Sequence, residues 1–256
     1  MLMRTRVLAA IVLGTFVWAA PAAAQTWDHV HLTVSDTAAA AEWYAKHFDG
    51  KVTKSGRFDA VLFGSNLVKF KAGDDVLGSQ GSAVDHVAFS VEDVADKMDA
   101  LREDGVEINY LSRRTKSVAQ GTDPWGTTIE LLDDEDLRGF HHVHLKTTRP
   151  SSTIEWYVTA FGGEPEKFKN VPSMTVIRYG DMYLLIQRSL QPVESTAGHT
   201  IDHIAWRVPD FQATFKRLKG MGVKFLLEPT KSGDHLIAFI EGPDGVKIEV
   251  VEDVGE

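Results

Sequence analysis

The chain contains no cysteine among its 256 residues, which excludes disulfide bridges and a lipid-modified cysteine anchor. Stability must therefore come from a hydrophobic core. The sequence also lacks a Lys/Arg cluster, a long low-complexity tract and any apolar run of the roughly 20 residues that a membrane helix needs. These absences argue against nucleic acid and against an anionic membrane surface as the main partner.

The N-terminal segment has the pattern of a secretory signal peptide. Arg4 and Arg6 precede the apolar run Val7–Ala20, and small residues follow up to Ala24. A basic start, a short apolar stretch and an Ala-x-Ala end are typical of a cleaved signal. A membrane anchor is the competing interpretation, but the run is too short to span a bilayer. We expect cleavage of residues 1–24, a mature start at Gln25, and a periplasmic or secreted protein.

The predicted mature chain is acidic and long enough for one large domain or two small ones. Cleavage would remove two arginines and no acidic residue, leaving 25 Lys and Arg against 36 Asp and Glu, a net charge of −11. This charge again disfavours a polyanionic partner and leaves a small-molecule substrate as the expected one.

Internal repetition is the strongest organisational signal in the sequence. The motif His-Val-His-Leu occurs at His29 and again at His142, 113 residues later. Two further segments, "VDHVAFSVEDVADKMDALREDGVEI" from Val84 and "IDHIAWRVPDFQATFKRLKGMGVKF" from Ile201, match at an offset of 117. Each of the four repeated stretches has a histidine near its start, in strand-like sequence. We infer four modules, as two halves at residues 25–136 and 137–256.

Each module has the same predicted order of elements, β-α-β-β-β. A short strand is followed by a polar helix cap, an amphipathic helix, a glycine, and strands separated by turn residues. The predicted caps are Ser35-Asp36, Glu92-Asp93, Ser151-Ser152 and Pro209-Asp210. The predicted helices are Ala38–Phe48, Ala95–Glu103, Thr153–Phe161 and Gln212–Lys219.

Paired βαβββ modules that open on "DHVxLxVxD" and close on "DPxGxxIEL" resemble the vicinal oxygen chelate superfamily. This superfamily includes glyoxalase I, extradiol ring-cleaving dioxygenases and bleomycin-resistance proteins. The resemblance covers Trp27 to about Asp253. It implies an α+β fold in which four modules pair into two curved mixed β-sheets that enclose cavities.

The resemblance also implies a divalent metal ion, held by the first and last strands of the modules. The first-strand ligand position falls on His29, His86, His142 and His203, and the last-strand position falls on Glu130, Glu249, Lys69 and Leu185. Two histidines, one carboxylate and open positions suit Fe(II), and also Zn(II), Ni(II), Mn(II) or Co(II).

Two module pairings are consistent with the sequence. If consecutive modules pair, His142, His203 and Glu249 form the favoured metal site. The other site would then hold His29, His86 and Glu130, with Lys69 able to pair with Glu130 in place of a metal. If the first module pairs with the fourth, the two sets are instead His29, His203, Glu249 and His86, Glu130, His142.

The second histidine of each His-Val-His motif has two interpretations. His31 and His144 either contact substrate or transfer protons, or they line the cavity through an internal hydrogen bond. The other modules have Ala88 and Ala205 at these positions. The Trp-Tyr pairs at 43–44 and 156–157 lie at helical spacing and are assigned to the core.

Three functions remain open at this stage. The resemblance implies a metal-dependent glyoxalase I-like lyase or isomerase that chelates adjacent substrate oxygens, with Glu249 as a catalytic base. A ring-cleaving dioxygenase is the second candidate, although Phe239 lies where those enzymes have tyrosine and neither His199 nor His235 fits their acid–base position. A metal-free small-molecule binding protein is the third. Monomer and homodimer are both compatible with the sequence.

Overall fold

The computed structural model describes residues 25–111, 117–168, 171 and 174–255. The predicted signal peptide lies outside these residues. None of the helices within the described ranges combines the length and the apolar character of a membrane span.

The described chain contains sixteen strands and four α-helices in four consecutive βαβββ modules. The first module comprises β1 (Thr26–Val34), α1 (Thr37–Phe48), β2 (Lys51–Ser55), β3 (Phe58–Phe63) and β4 (Asn66–Ala72). The second comprises β5 (Val84–Ser90), α2 (Val94–Glu103), β6 (Glu107–Leu111), β7 (Val118–Thr122) and β8 (Thr128–Leu132). The third comprises β9 (Gly139–Thr147), α3 (Pro150–Phe161), β10 (Glu164–Lys167), β11 (Thr175–Tyr179) and β12 (Met182–Arg188). The fourth comprises β13 (Ile201–Val208), α4 (Phe211–Gly220), β14 (Lys224–Ser232), β15 (His235–Glu241), a 3₁₀ turn (Pro243–Gly245) and β16 (Lys247–Glu252).

The four predicted helices are confirmed to within a few residues, and three of the four caps are as expected. The carboxylates of Asp36, Asp93 and Asp210 accept hydrogen bonds from backbone N–H groups of the first helical turn. The cap predicted at Ser151-Ser152 is wrong. Helix α3 begins at Pro150, because the fixed φ of proline suits the first helical position, and the two serines lie inside the helix.

The sheets join modules from opposite halves of the chain. One has the order β14-β15-β16-β13-β1-β4-β3-β2, and the other β10-β11-β12-β9-β5-β8-β7-β6. Within each sheet, the first strands of two modules pair antiparallel, and each also pairs parallel with the last strand of its own module. The first module therefore pairs with the fourth and the second with the third. The halves 25–136 and 137–256 stay a prediction as domains, since each contributes one module to each sheet.

This topology corrects the favoured grouping of site residues. His142 lies on β9 and cannot share a sheet cavity with His203 and Glu249. Lys69 lies on β4 in the same sheet as Glu249, so it does not face Glu130 as the consecutive pairing implied. The sets that the structure assembles are those of the interleaved pairing.

The core lies between the helices and the two sheets, and large aromatic rings connect these layers. Phe48 of α1 stacks on Phe89 of β5 with ring centroids 3.8 Å apart, and Phe161 of α3 stacks on Trp206 of β13 at 4.4 Å. Through these rings, α1 and α3 each contact a strand of the sheet to which their own module does not belong. The core assignment of the Trp-Tyr pairs is confirmed, with Tyr44 fully buried. This packing fixes the first strands, which carry the histidines.

Candidate metal centres

Strand alternation separates the apolar core from the histidine clusters. On β1, Val30 and Leu32 belong to the core, while His29 and His31 point to the opposite face. The same arrangement recurs on the first strand of every module. Two clusters result: His29, His31, His203 and Glu249 in one sheet, and His86, His142, His144 and Glu130 in the other.

The first cluster converges on a small volume. Nε2 of His29 lies 3.3 Å from Nε2 of His203, and Oε2 of Glu249 lies 3.2 Å from both nitrogens. Nδ1 of His31 lies 3.3 Å from the same nitrogen of His203. All three histidines are buried.

Each first strand carries a β-bulge at the residue before its ligand histidine. Along β1, Trp27 pairs with Trp206 and His29 with the adjacent Ala205, so Asp28 is the extra residue. The register shifts in the same way at Asp202, Asp85 and His141. Consecutive side chains in a regular strand point to opposite faces, and a bulge re-aims one of them. The bulge therefore lets the carboxylate of Asp28 reach the ring of its neighbour His29.

These carboxylates fix the tautomers of the histidines. Asp28 accepts a hydrogen bond from Nδ1 of His29, and Asp202 accepts one from Nδ1 of His203 at 2.5 Å. Burial raises the pKa of Asp28, but the hydrogen bond from His29 and nearby positive charges hold that pKa well below its usual range. The pKa of Asp202 is lowered in the same way. Because an ionised carboxylate can only accept, Nδ1 carries the proton and Nε2 turns its lone pair toward the cluster.

The donor set of the first cluster fits a divalent cation. Two imidazole lone pairs and a carboxylate oxygen face one another at 3.2–3.3 Å, which is unfavourable without a positive charge between them. Ligands about 2.0–2.2 Å from one ion lie about 2.8–3.6 Å from each other at right or tetrahedral angles. A metal-binding histidine usually donates its other ring N–H to a carboxylate or a similar acceptor, as His29 and His203 do to Asp28 and Asp202.

The second cluster repeats this arrangement with one substitution. Nδ1 of His86 contacts Asp85 at 2.8 Å, and Nε2 of His86 lies 3.4 Å from Glu130. His141 replaces the aspartate before His142, and its two nitrogens lie 2.8 Å from Nδ1 of His142 and 3.3 Å from Asp134. The imidazole of His141 thus connects His142 to the carboxylate of Asp134.

Glu130 and His142 complete the second cluster. Nε2 of His142 lies 3.6 Å from Oε1 of Glu130, and Gln120 donates to Oε2 at 2.7 Å. Burial raises the pKa of Glu130, but the imidazole of His86 beside it holds that pKa well below its usual range. Burial lowers the pKa of His142 well below its usual range, so this imidazole is neutral and able to bind a cation.

Sequence reasoning missed the residues that orient the ligands. Asp28, Asp85 and Asp202 each precede a first-strand histidine, and His141 occupies the same position in the third module. The recurring Asp-His dipeptide was the available signal. Strand alternation alone places the aspartate on the opposite face, and only the bulge brings it to the ring.

The first cluster lies in a cavity of about 920 Å³. The basic side chains that line it are Arg57, Lys69, Lys71, Arg207, Lys231 and Lys247. The acidic ones are Asp59, Asp202 and Glu249. Phe58, Ile237 and Phe239 add apolar surface. The volume suits a small organic ligand.

Lys69 does not occupy the centre of this cluster. Its Nζ lies 3.6 Å from Oδ1 of Asp28, and Arg207 contacts the other carboxylate oxygen of Asp28 at 2.5 Å. Its ammonium therefore neutralises the orienting carboxylate instead of pairing with Glu249. The last-strand alignment itself holds, because Lys69 pairs with His31 as Glu249 pairs with Ala205.

The comparisons with known proteins agree with this architecture. The model of the Glyoxalase/Bleomycin resistance protein/Dioxygenase superfamily matches residues 26–131 and 139–250. A Synechocystis sp. protein named "Probable lactoylglutathione lyase" is 40% identical over 121 residues, covering 43% of this chain and 92% of that protein. A lactoylglutathione lyase of Neisseria meningitidis is 27% identical over 121 residues, covering 43% of this chain and 88% of that protein.

A solved structure shows the same fold along nearly the whole chain. Glyoxalase I from Zea mays aligns with a TM-score of 0.71 at 19% identity, covering 89% of this chain and 92% of that one. With two matched regions that together span most of the sequence, the chain belongs to the Glyoxalase/Bleomycin resistance protein/Dioxygenase superfamily.

Proposed function

We propose that the protein is a divalent-metal-dependent lyase or isomerase of the glyoxalase I type, acting on a small oxygenated substrate. The observation that carries this proposal is the convergence of two imidazole lone pairs and the Glu249 carboxylate at 3.2–3.3 Å, each histidine being held by an aspartate. The named relatives support the reaction class.

The residues of the first cluster would bind the metal ion and accept a proton from the substrate. His29, His203 and Glu249 would hold the ion, which when bound would act as a Lewis acid toward adjacent substrate oxygens. Burial raises the pKa of Glu249, but the imidazoles of His203 and His29, each 3.2 Å from its Oε2, hold that pKa well below its usual range. The carboxylate is therefore ionised at neutral pH and able to accept a proton from a carbon next to a carbonyl.

The cavity favours a substrate that carries negative charge. Lys71 and Lys247 are balanced by Asp202, while Arg57 lies over the Phe58 ring at 4.9 Å. Six basic side chains line the cavity against three acidic ones, so the charge of the lining is positive. A small anionic conjugate such as a glutathione adduct fits this balance of charge.

The ring-cleaving dioxygenase is the weaker candidate. Phe239 pairs with Glu249 and its ring packs edge-on against His203 at 5.1 Å, so no phenol is available there. His235 lines the cavity, but its ring contacts Asp234 at 3.1 Å, and His199 contacts Glu194. Neither histidine contacts the cluster.

The test is an assay of metal-loaded protein with glutathione and methylglyoxal, following lactoylglutathione formation in the ultraviolet. Glu249→Gln should lower kcat by about 10²- to 10⁴-fold, because the amide cannot accept the proton. Glu241→Gln, which alters only a surface ion pair with Lys224, should leave it unchanged. Oxygen uptake with a catechol would favour the dioxygenase, and ligand binding without turnover the metal-free binder.

We also propose that the protein is exported, because residues 1–24 have the composition of a signal peptide. N-terminal sequencing of protein from its native host should start within a residue or two of Gln25. An intact Met1 on soluble cytoplasmic protein would contradict export.

A further inference from the structure

The four modules are of two kinds at one pair of neighbouring positions. In each module, the last strand pairs in parallel with the first strand, so that the last-strand ligand position lies beside the residue two places after the first-strand histidine. The four pairs are Ala205 with Glu249, Ala88 with Glu130, His31 with Lys69, and His144 with Leu185.

These pairs follow one rule. Where the last strand supplies glutamate, the neighbouring first-strand residue is alanine. Where the last strand has lysine or leucine, that neighbour is histidine. Each sheet combines one module of each kind, so each cluster contains one glutamate and one additional histidine. A nitrogen donor from the first strand thus appears in every module that lacks the oxygen donor of the last strand.

The additional histidines point into the clusters. Nδ1 of His31 lies 3.3 Å from Nε2 of His203, and Nδ1 of His144 lies 3.0 Å from Nε2 of His86. Both rings are buried, and within the described part of the chain neither Nε2 has a hydrogen-bond partner. With the proton on the unpartnered Nε2, Nδ1 of each additional histidine turns a lone pair toward the lone pair of its neighbour, which is unfavourable unless a cation lies between them.

We propose that His31 and His144 are metal ligands that replace the missing last-strand carboxylates. Each centre would then hold its ion with three imidazoles and one glutamate. The inference rests on the proposed metal dependence and deepens it. One carboxylate instead of two leaves the loaded centre with a net charge of +1, and three imidazoles favour Zn(II), Ni(II) or Co(II) over Mn(II) or Mg(II).

The test is Zn(II) binding to metal-depleted protein in a series of chelator buffers, with bound zinc counted per chain. Wild type should bind two ions. His31→Ala, which copies the alanine of the fourth module, should weaken one site by about 100-fold or more and leave the other unchanged. His144→Ala should do the same to the other site. The unaffected site reports that the variant is folded.

Two further variants separate a ligand from a packing residue. His47→Ala removes a buried histidine that contacts Asp104, away from both clusters, and should leave both affinities unchanged. Combining Lys69→Glu with His31→Ala reproduces the alanine–glutamate pair of the fourth module and should restore the lost affinity. A double variant as weak as His31→Ala alone would overturn the exchange of donors.

The outcomes of this experiment test the additional ligands separately from the proposed metal dependence. Wild type that binds no zinc at either cluster would defeat the proposed metal dependence. Wild type that binds two ions, with His31→Ala and His144→Ala both unchanged, would leave the metalloenzyme intact and overturn the additional ligands.

Discussion

Asp202 offers a sharp test of how the protein prepares a ligand histidine. Its Oδ1 accepts from Nδ1 of His203 at 2.5 Å and from Lys247 at 2.9 Å, while its Oδ2 accepts from Lys71 at 2.5 Å. Asp202→Asn keeps the shape of the side chain and removes its charge. The His203 ring would lose a charged acceptor, and two ammonium groups would lose their counter-ion beside a cation site.

The magnitude follows from the hydrogen bond that is lost. A hydrogen bond to a charged group is worth about 1.5–3 kcal/mol, which corresponds to roughly 10- to 100-fold in affinity. Removal of the outer partner of a metal-bound histidine typically costs the same factor. We therefore expect zinc affinity at the first centre to fall by about 10- to 100-fold.

The assay is the chelator-buffered zinc titration, with the second centre as the internal reference. Asp210→Asn is the matched control, because it makes the same chemical change at the cap of α4, where asparagine caps as well as aspartate. Unchanged affinity at the first centre would refute the orienting role of Asp202. Equal weakening at both centres would show a global effect on the fold.

Two predictions concern stability. Gly163→Ala should destabilise the protein more than Gly162→Ala by about 1–3 kcal/mol in urea unfolding, since both have positive φ but a Cβ at Gly163 would lie 2.6 Å from Ile177; equal losses would contradict this packing. Burial raises the pKa of Asp123 to about 6, although the hydrogen bond from Tyr44 lowers it. The pKa of Asp123 is higher in the folded than in the unfolded protein. Its contribution to the free energy of unfolding is therefore full below about pH 4 and falls by about 3 kcal/mol as the pH rises through 6. The free energy of unfolding of Asp123→Asn relative to wild type should rise across that interval, and a flat difference would contradict the shift.

Much of the fold was predictable because its signals are local and repeated. The helices follow from apolar periodicity closed by caps such as Asp36 and Asp93, and the first strands follow from alternation around His29 and His86. Fourfold repetition strengthened each weak local signal. The candidate ligands could be named from sequence because they recur at fixed places in every module.

The grouping of the ligands could not be predicted from the sequence. All four modules have similar first strands, so the local pattern of the first module fits pairing with the second module as well as with the fourth. The choice depends on packing between distant segments, such as Phe161 against Trp206. The position of Lys69 next to Asp28 follows from the pairing of the first and fourth modules and from the bulge at Asp28. The spacing of residues along the chain indicates neither the pairing nor the bulge.

Anomalous diffraction from zinc-loaded crystals at the metal absorption edge tests the central claim most directly. We predict a peak within about 2.0–2.2 Å of Nε2 of His29, Nε2 of His203 and Oε2 of Glu249, with Nδ1 of His31 as the fourth protein ligand. A corresponding peak should lie in the second cluster. The absence of a peak at both clusters in fully loaded protein, or peaks bound to other residues, would contradict the assignment of these histidines and glutamates as metal centres.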